Sequence, residues 1–241
     1  MRRRLGAAAL IVFIGGSVAA QAGDRWSVAV LGGTDVEVSG DVLQAGEGSI
    51  AGLATTVGAL SYGGAFSPSF RGSVSLGYRV SPTLEVFARG GRYSMNGKSA
   101  GVGSASGLDL TADAATCREW SVEAGVRRSF ATHGAFEPYV AFAGGLRSLD
   151  AIAMTLSVPD AHLSAAGLPL YDKSTVAVFG ADAGARWRVS SHAFVGADVG
   201  LRYQAAPRGI DSGLQGSGLE VVNDGGSRLA LPISAEIGVR F

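Results

Sequence analysis

The chain has 241 residues, 20 basic and 20 acidic, with 37 glycines and 7 prolines. Balanced charge offers no basic surface to nucleic acid, and glycine without a triplet period or abundant proline excludes collagen. Charged residues make up only 17%, below the roughly 25% of a soluble domain, and one long apolar run cannot build a helical membrane bundle.

That run, at the N-terminus, reads as a secretory leader. Arg2, Arg3 and Arg4 form its basic start, residues 5–20 its apolar middle, and Ala20-Gln21-Ala22 a small-residue cleavage site. Gly6, Gly15, Gly16 and Ser17 interrupt it, which argues against a permanent anchor. The expected organisation is a leader over 1–22, cleaved after Ala22, and one domain over 23–241. Loss of the three arginines leaves 17 basic against 20 acidic residues, a net charge of −3. The single Cys117 cannot form an internal disulfide, and no role is assigned to it.

Beyond residue 22 the apolar pattern has period two almost throughout, the signature of strands with one apolar face. Strands are predicted over 25–31, 70–80, 84–93, 120–130, 136–147, 174–189, 193–203 and 229–241. Ser81-Pro82-Thr83 closes the hairpin 70–93. In the fourth strand, Trp120, Val122, Ala124 and Val126 oppose Ser121, Glu123, Gly125 and Arg127. The last strand sets Ile233, Ala235, Ile237, Val239 and Phe241 against Ser234, Glu236, Gly238 and Arg240. These make eight strands, and a further hairpin within 50–63 would make ten.

Short turns alternate with long segments at 32–69, 94–116, 148–173 and 204–228. Structureless loops of that length are unusual in a compact soluble domain. The segments 94–116 and 204–228, rich in Gly and Ser, are expected to be mobile. Segment 32–69 is apolar through Ile50, Leu53, Val57, Leu60 and Phe66, and should fold over a barrel mouth or meet a partner. Trp26, Tyr78, Trp120, Phe130, Trp187 and Tyr203 fall near strand ends, where membrane barrels carry aromatic girdles. The predicted fold class is therefore all-β: an up-and-down antiparallel transmembrane β-barrel with short periplasmic turns and long extracellular loops. A soluble lipocalin-like barrel would instead put the charged faces in its core.

The terminal strand ending in Phe241, with phrases such as Gly77-Tyr78-Arg79-Val80, resembles the small outer-membrane β-barrel family that includes the OmpA transmembrane domain and OmpX-like proteins. The resemblance spans 25–241. It implies a place in the outer membrane of a Gram-negative bacterium, with membrane lipid around the wall. It also implies passage through the Sec translocon and insertion by the barrel-assembly machinery, with Phe241, Val239 and Ile237 as the assembly signal.

By parity, Arg71, Arg79, Glu85, Arg89, Glu123, Arg127, Asp182, Arg186, Asp198, Arg202, Glu236 and Arg240 point into the lumen. An eight-stranded lumen is just wide enough to be filled by side chains, so opposite charges should pair there and plug it. A ring of one sign would instead mark a pore. Some barrels that the chain resembles are enzymes acting on outer-leaflet lipid. Here His133 and His192 fall in short turns and His162 in a long segment, none level with a serine and an acid. No G-x-S-x-G, H-E-x-x-H or Cys/His cluster is present. Asp109, Asp113, Asp150 and Asp160 are scattered and read as solvated. The expectation is a non-enzymatic integral membrane protein with a structural or adhesive surface role, without metal or cofactor and with an unidentified loop partner. The alternative is a small passive pore.

Overall fold

Alternating side chains draw the chain into long strands, which the structure, a computed structural model, describes over residues 25–50, 52–130, 134–210 and 214–241. The leader over 1–22 and His133 lie outside these residues. β1 (Trp26–Ser39) is followed by four short strands: β2 (Asp41–Leu43), β3 (Gly46–Ile50), β4 (Leu53–Val57) and β5 (Leu60–Ser61). One helical turn, α1 (Tyr62–Ala65), precedes the long hairpin of β6 (Ser69–Ser81) and β7 (Leu84–Met95). β8 (Ser99–Ala105) and β9 (Leu108–Ala114) form a smaller hairpin, then come β10 (Cys117–Ser129) and β11 (Phe136–Leu149). β12 (Ile152–Val158) and β13 (Leu163–Tyr171) lead to β14 (Ser174–Arg188), β15 (Ala193–Gln204) and β16 (Arg228–Arg240).

The eight long strands close a barrel in the order β1-β16-β15-β14-β11-β10-β7-β6. Every neighbouring pair is antiparallel. Burial along these strands is inverted relative to a soluble protein. Val74, Leu76, Phe142, Val199, Ile233 and Ile237 are exposed, while Arg71, Arg89, Glu123 and Arg202 are buried. Such an apolar surface is stable where lipid covers it, with the polar face turned inward. Trp26, Phe130 and Trp187 stand exposed at the turn end of the wall, and Trp120 and Tyr203 near its other end. Trp26 leans on Tyr78 at 4.9 Å between ring centroids. Of the residues expected to form an assembly signal, Ile237 and Phe241 face outward and are exposed.

β1 runs past the predicted end at residue 31 to Ser39. Just beyond that predicted end, Gly33 is a place of close approach, while Gly32 faces open space. A Cβ on Gly33 would strike the Ile233 carbonyl and Ser234 of β16, so glycine there lets two strands pair. The β15–β16 ladder passes from Val199↔Ile233 to Arg202↔Ala230 without a register shift. It is interrupted at Pro232, which has no N–H to donate.

The long segments are not structureless. β13-β12-β9-β8-β4-β3 form a six-stranded sheet at one end of the barrel, and β2 pairs with β5 beside it. A hairpin forms over 46–57 as β3–β4, shifted from the one anticipated within 50–63, and it belongs to this sheet, so the barrel has eight strands rather than ten. Segment 94–116, expected to be mobile, is the β8–β9 hairpin, turned through Ser106 and Gly107 with positive φ. Segment 204–228, also expected to be mobile, supplies buried Leu214, Leu219 and Val222 to the cap core. There they join Leu43, Val57, Phe66, Met95, Leu110, Met154 and Tyr171. Of segment 32–69, the part beyond β1 folds into the cap as expected, placing Val42, Leu60 and Phe66 in its core. The cap is tied polar group to polar group as well: the Tyr171 hydroxyl donates to the Val42 carbonyl at 3.1 Å. The Asn223 amide donates to the Leu170 and Ile210 carbonyls at 3.1 and 2.7 Å.

Candidate functional site

Among the described residues, the lumen is filled by fifteen ion pairs between nine arginines and nine carboxylates. Inward parity on neighbouring strands brings them together in layers. At the turn end, Glu137 meets Arg240 at 2.8 Å and Arg79 at 3.6 Å. Arg79, predicted to be inside, lies at the mouth with its side chain 28% exposed.

One layer deeper, Glu85 accepts from Arg127 at 2.5 Å and Arg186 at 3.0 Å. Arg186 grips Glu236 with two donors, Nε at 2.7 Å and Nη2 at 3.3 Å, the bidentate geometry that makes Arg–carboxylate pairs strong. Arg127 lies over the Tyr139 ring and Arg186 over Phe194, at 4.6 and 4.4 Å to the centroids. The Tyr139 hydroxyl donates to Asp198 at 3.0 Å.

The middle layer is a square from four strands. Arg89 pairs with Glu123 at 3.0 Å and Asp182 at 3.5 Å; Arg202 pairs with Asp182 at 3.1 Å and Glu123 at 3.5 Å. Above it, Arg71 spans Asp198 and Asp35 at 3.7 and 3.6 Å. Under the cap, Arg228 donates to both Glu119 oxygens at 2.7 and 2.6 Å and to Gln204 at 2.8 Å. Arg228 also meets Glu37 at 3.3 Å, Met95 Sδ at 3.0 Å and, over its ring, Tyr62 at 5.3 Å. Arg147 joins Glu119 at 3.3 Å and lies over Tyr93 at 4.1 Å. Burial pushes the Tyr62 phenol well above its ordinary 10.0. It therefore stays a neutral donor, bonded to the Gly226 carbonyl at 3.0 Å.

The structure thus brings together all twelve residues assigned inward by parity. It adds Asp35, Glu37, Glu119, Glu137, Arg147 and Arg228, which sequence reasoning missed. Glu119 and Arg147 sit one residue before and at the very end of predicted strands, and both continue the inward parity. Asp35 and Glu37 lie beyond the predicted end of the first strand at residue 31.

Glycines on the inner face make room for the guanidinium groups. A Cβ on Gly180 would strike Arg202, with the Leu201 carbonyl 2.6 Å away, whereas Gly72 on the outer wall has open space. Gly180→Ala is expected to lose about 1–3 kcal/mol of stability by overpacking. Gly72→Ala should stay within about 0.5 kcal/mol of the parent. Urea unfolding in micelles measures both, and equal effects would mean that Gly180 makes no room for the network.

No protein-family model matches the chain, and no curated protein matches it in sequence. Among solved structures the chain is similar to Neisserial surface protein A, with 17% identity over 90% of this chain and 97% of that one, at a TM-score of 0.46. It is similar to the outer membrane protein OprG from Pseudomonas aeruginosa, with 12% identity over 91% and 97%, at a TM-score of 0.48. It is also similar to Ail, the attachment invasion locus protein of Yersinia pestis, with 12% identity over 90% and 99%, at a TM-score of 0.40. The assignment of a membrane barrel rests on the closed strand ladder and the inverted burial of its wall.

Proposed function

We propose that the chain is a non-enzymatic integral outer-membrane protein whose lumen is closed by its own ion network and whose cap is the surface it offers outside the cell. The short turns then face the periplasm, membrane lipid surrounds the wall, and Phe241, Val239 and Ile237 serve the assembly machinery that inserts it. The observation that carries this reading is the pairing of nine arginines with nine carboxylates through the lumen. Both signs occupy each layer, so no ring of one charge is left to select and pass an ion. A non-catalytic role is supported by the histidines. His192 Nδ1 meets the hydroxyl of adjacent Ser191 at 2.8 Å in an exposed turn, a contact between chain neighbours. His162 sits exposed at the start of β13 in a left-handed conformation.

A second reading, a small passive pore, is favoured by one feature. The pairs around Asp35 are long, 3.6 Å to Arg71 and 3.9 Å to Arg147. Conductance across planar lipid bilayers separates the two. The closed-lumen reading predicts no resolvable steps from the parent protein, and regular single-channel steps would replace it with the pore.

A further inference from the structure

The cap contains an apolar pocket that the closed lumen does not use. It is a cavity of about 90 Å³ between the two flanks of the six-stranded sheet. Ala105, Leu110, Leu156 and Val158 line it and are almost wholly buried. Ile50 and Leu53 on one side, and Leu163, Ser164 and Ala165 on the other, complete it. Ser164 is the only polar residue in that lining, so water inside would find too few partners, and dry apolar cavities of this kind take up hydrocarbon. Leu163, at the mouth, leaves 43% of its surface exposed.

The pocket also has depth. Leu156 lines a second, smaller apolar void together with Met154 and Leu168. This one side chain therefore forms part of the wall of both voids. Ser164 is also the single polar side chain of the lining that a head group could meet, so a charged head group would lose its hydration without gaining a partner.

We propose that this pocket binds one unbranched alkyl chain carrying an uncharged head group, inserted between the edge strands β3 and β13 toward Leu156. The proposal names a ligand class for the cap in the function proposed above. It uses nothing of the lumen, so its failure would leave the conductance result standing.

The test uses the full chain in lipid nanodiscs, because detergent tails would compete. Isoleucine, leucine and valine methyl groups are followed by NMR during titration with 1-alkanols from butanol to octanol. The Leu110, Leu156 and Val158 signals should shift to saturation, with affinity rising about fourfold per added methylene until the pocket is full. Wall methyls such as Val199 should shift without saturating, as simple partition into lipid requires. Ala165→Phe, at the rim, should abolish saturation, and hexanoate should bind more weakly than 1-hexanol. Leu156→Ala, which removes bulk from the wall that both voids share, should extend the chain length at which affinity stops rising, and it keeps the test open if Ala165→Phe fails to fold. Shifts that never saturate, an unchanged response in Ala165→Phe, an unmoved length limit in Leu156→Ala, or equal binding of hexanoate would overturn the proposal.

Discussion

Glu119→Gln should lower the stability of the barrel by about 3–5 kcal/mol, the loss typical of breaking a buried charge pair from one side. Glu119 is 3% exposed and accepts from two arginines, Arg228 at 2.6 and 2.7 Å and Arg147 at 3.3 Å. Glutamine preserves the volume and removes the charge, which leaves both guanidinium groups inside the wall. Of carboxylate partners, Arg147 would retain the distant Asp35 at 3.9 Å and Arg228 would retain Glu37 at 3.3 Å, beside the uncharged Gln204 to which both donate, at 3.2 and 2.8 Å. Adding Arg147→Met should recover part of the loss, with a coupling of at least about 0.5 kcal/mol, because the second change removes one of the unpaired charges. Arg79→Ala at the partly solvated turn end should cost no more than about 1 kcal/mol. Urea unfolding in micelles gives all three values. Equal losses from Glu119→Gln and Arg79→Ala would show that depth in the lumen has no bearing on the network.

Phe66→Ala should loosen the cap by about 3–5 kcal/mol while the barrel stays closed. Phe66 is 1% exposed, stacks on Tyr62 with centroids 6.1 Å apart and bridges to Gly97. Its removal opens a hole at the centre of the cap core, where short strands have little pairing of their own to resist local unfolding. The exposed Lys98, whose ammonium donates to the Gly63 carbonyl at 2.8 Å, is then the expected site of new trypsin cleavage. Cys117, buried beneath the cap, should begin to react with thiol reagents. The lumen layers around Arg89 and Arg186 do not involve Phe66, so the variant should still migrate as a folded barrel and should not conduct. Loss of the folded band together with the cap would mean that cap and barrel unfold as one unit.

The barrel was legible because lipid and an ionic lumen impose a strict period of two. Val122, Val126, Glu123 and Arg127 state the register of β10 by themselves, and β16 is equally plain. Strand ends were less legible, because glycine carries two meanings. The first strand was ended at residue 31, yet Gly33 just beyond it admits the β16 backbone, and Asp35 and Glu37 were lost with that early end. Of the cap sheet only one hairpin was anticipated, and it was assigned to the barrel. A stretch such as Ser99–Ala105 has one large apolar residue, Val102, and becomes a strand only because β4 and β9 lie beside it. Strand preference of that kind comes from neighbours rather than from the residues themselves. Tyr62 and Arg228 could not be linked in advance either, since 166 positions separate two groups that the closed barrel brings within 5.3 Å.

Refolding tests the central claim most directly. Residues 23–241, unfolded in urea, are diluted into buffer with and without detergent micelles, then compared by far-ultraviolet circular dichroism and by gel mobility before and after boiling. A wall that needs lipid and a lumen that holds charge predict a β-rich spectrum and a heat-sensitive mobility shift only with micelles. A soluble β-protein formed equally well without them would contradict the account, because the apolar faces would then have to point inward.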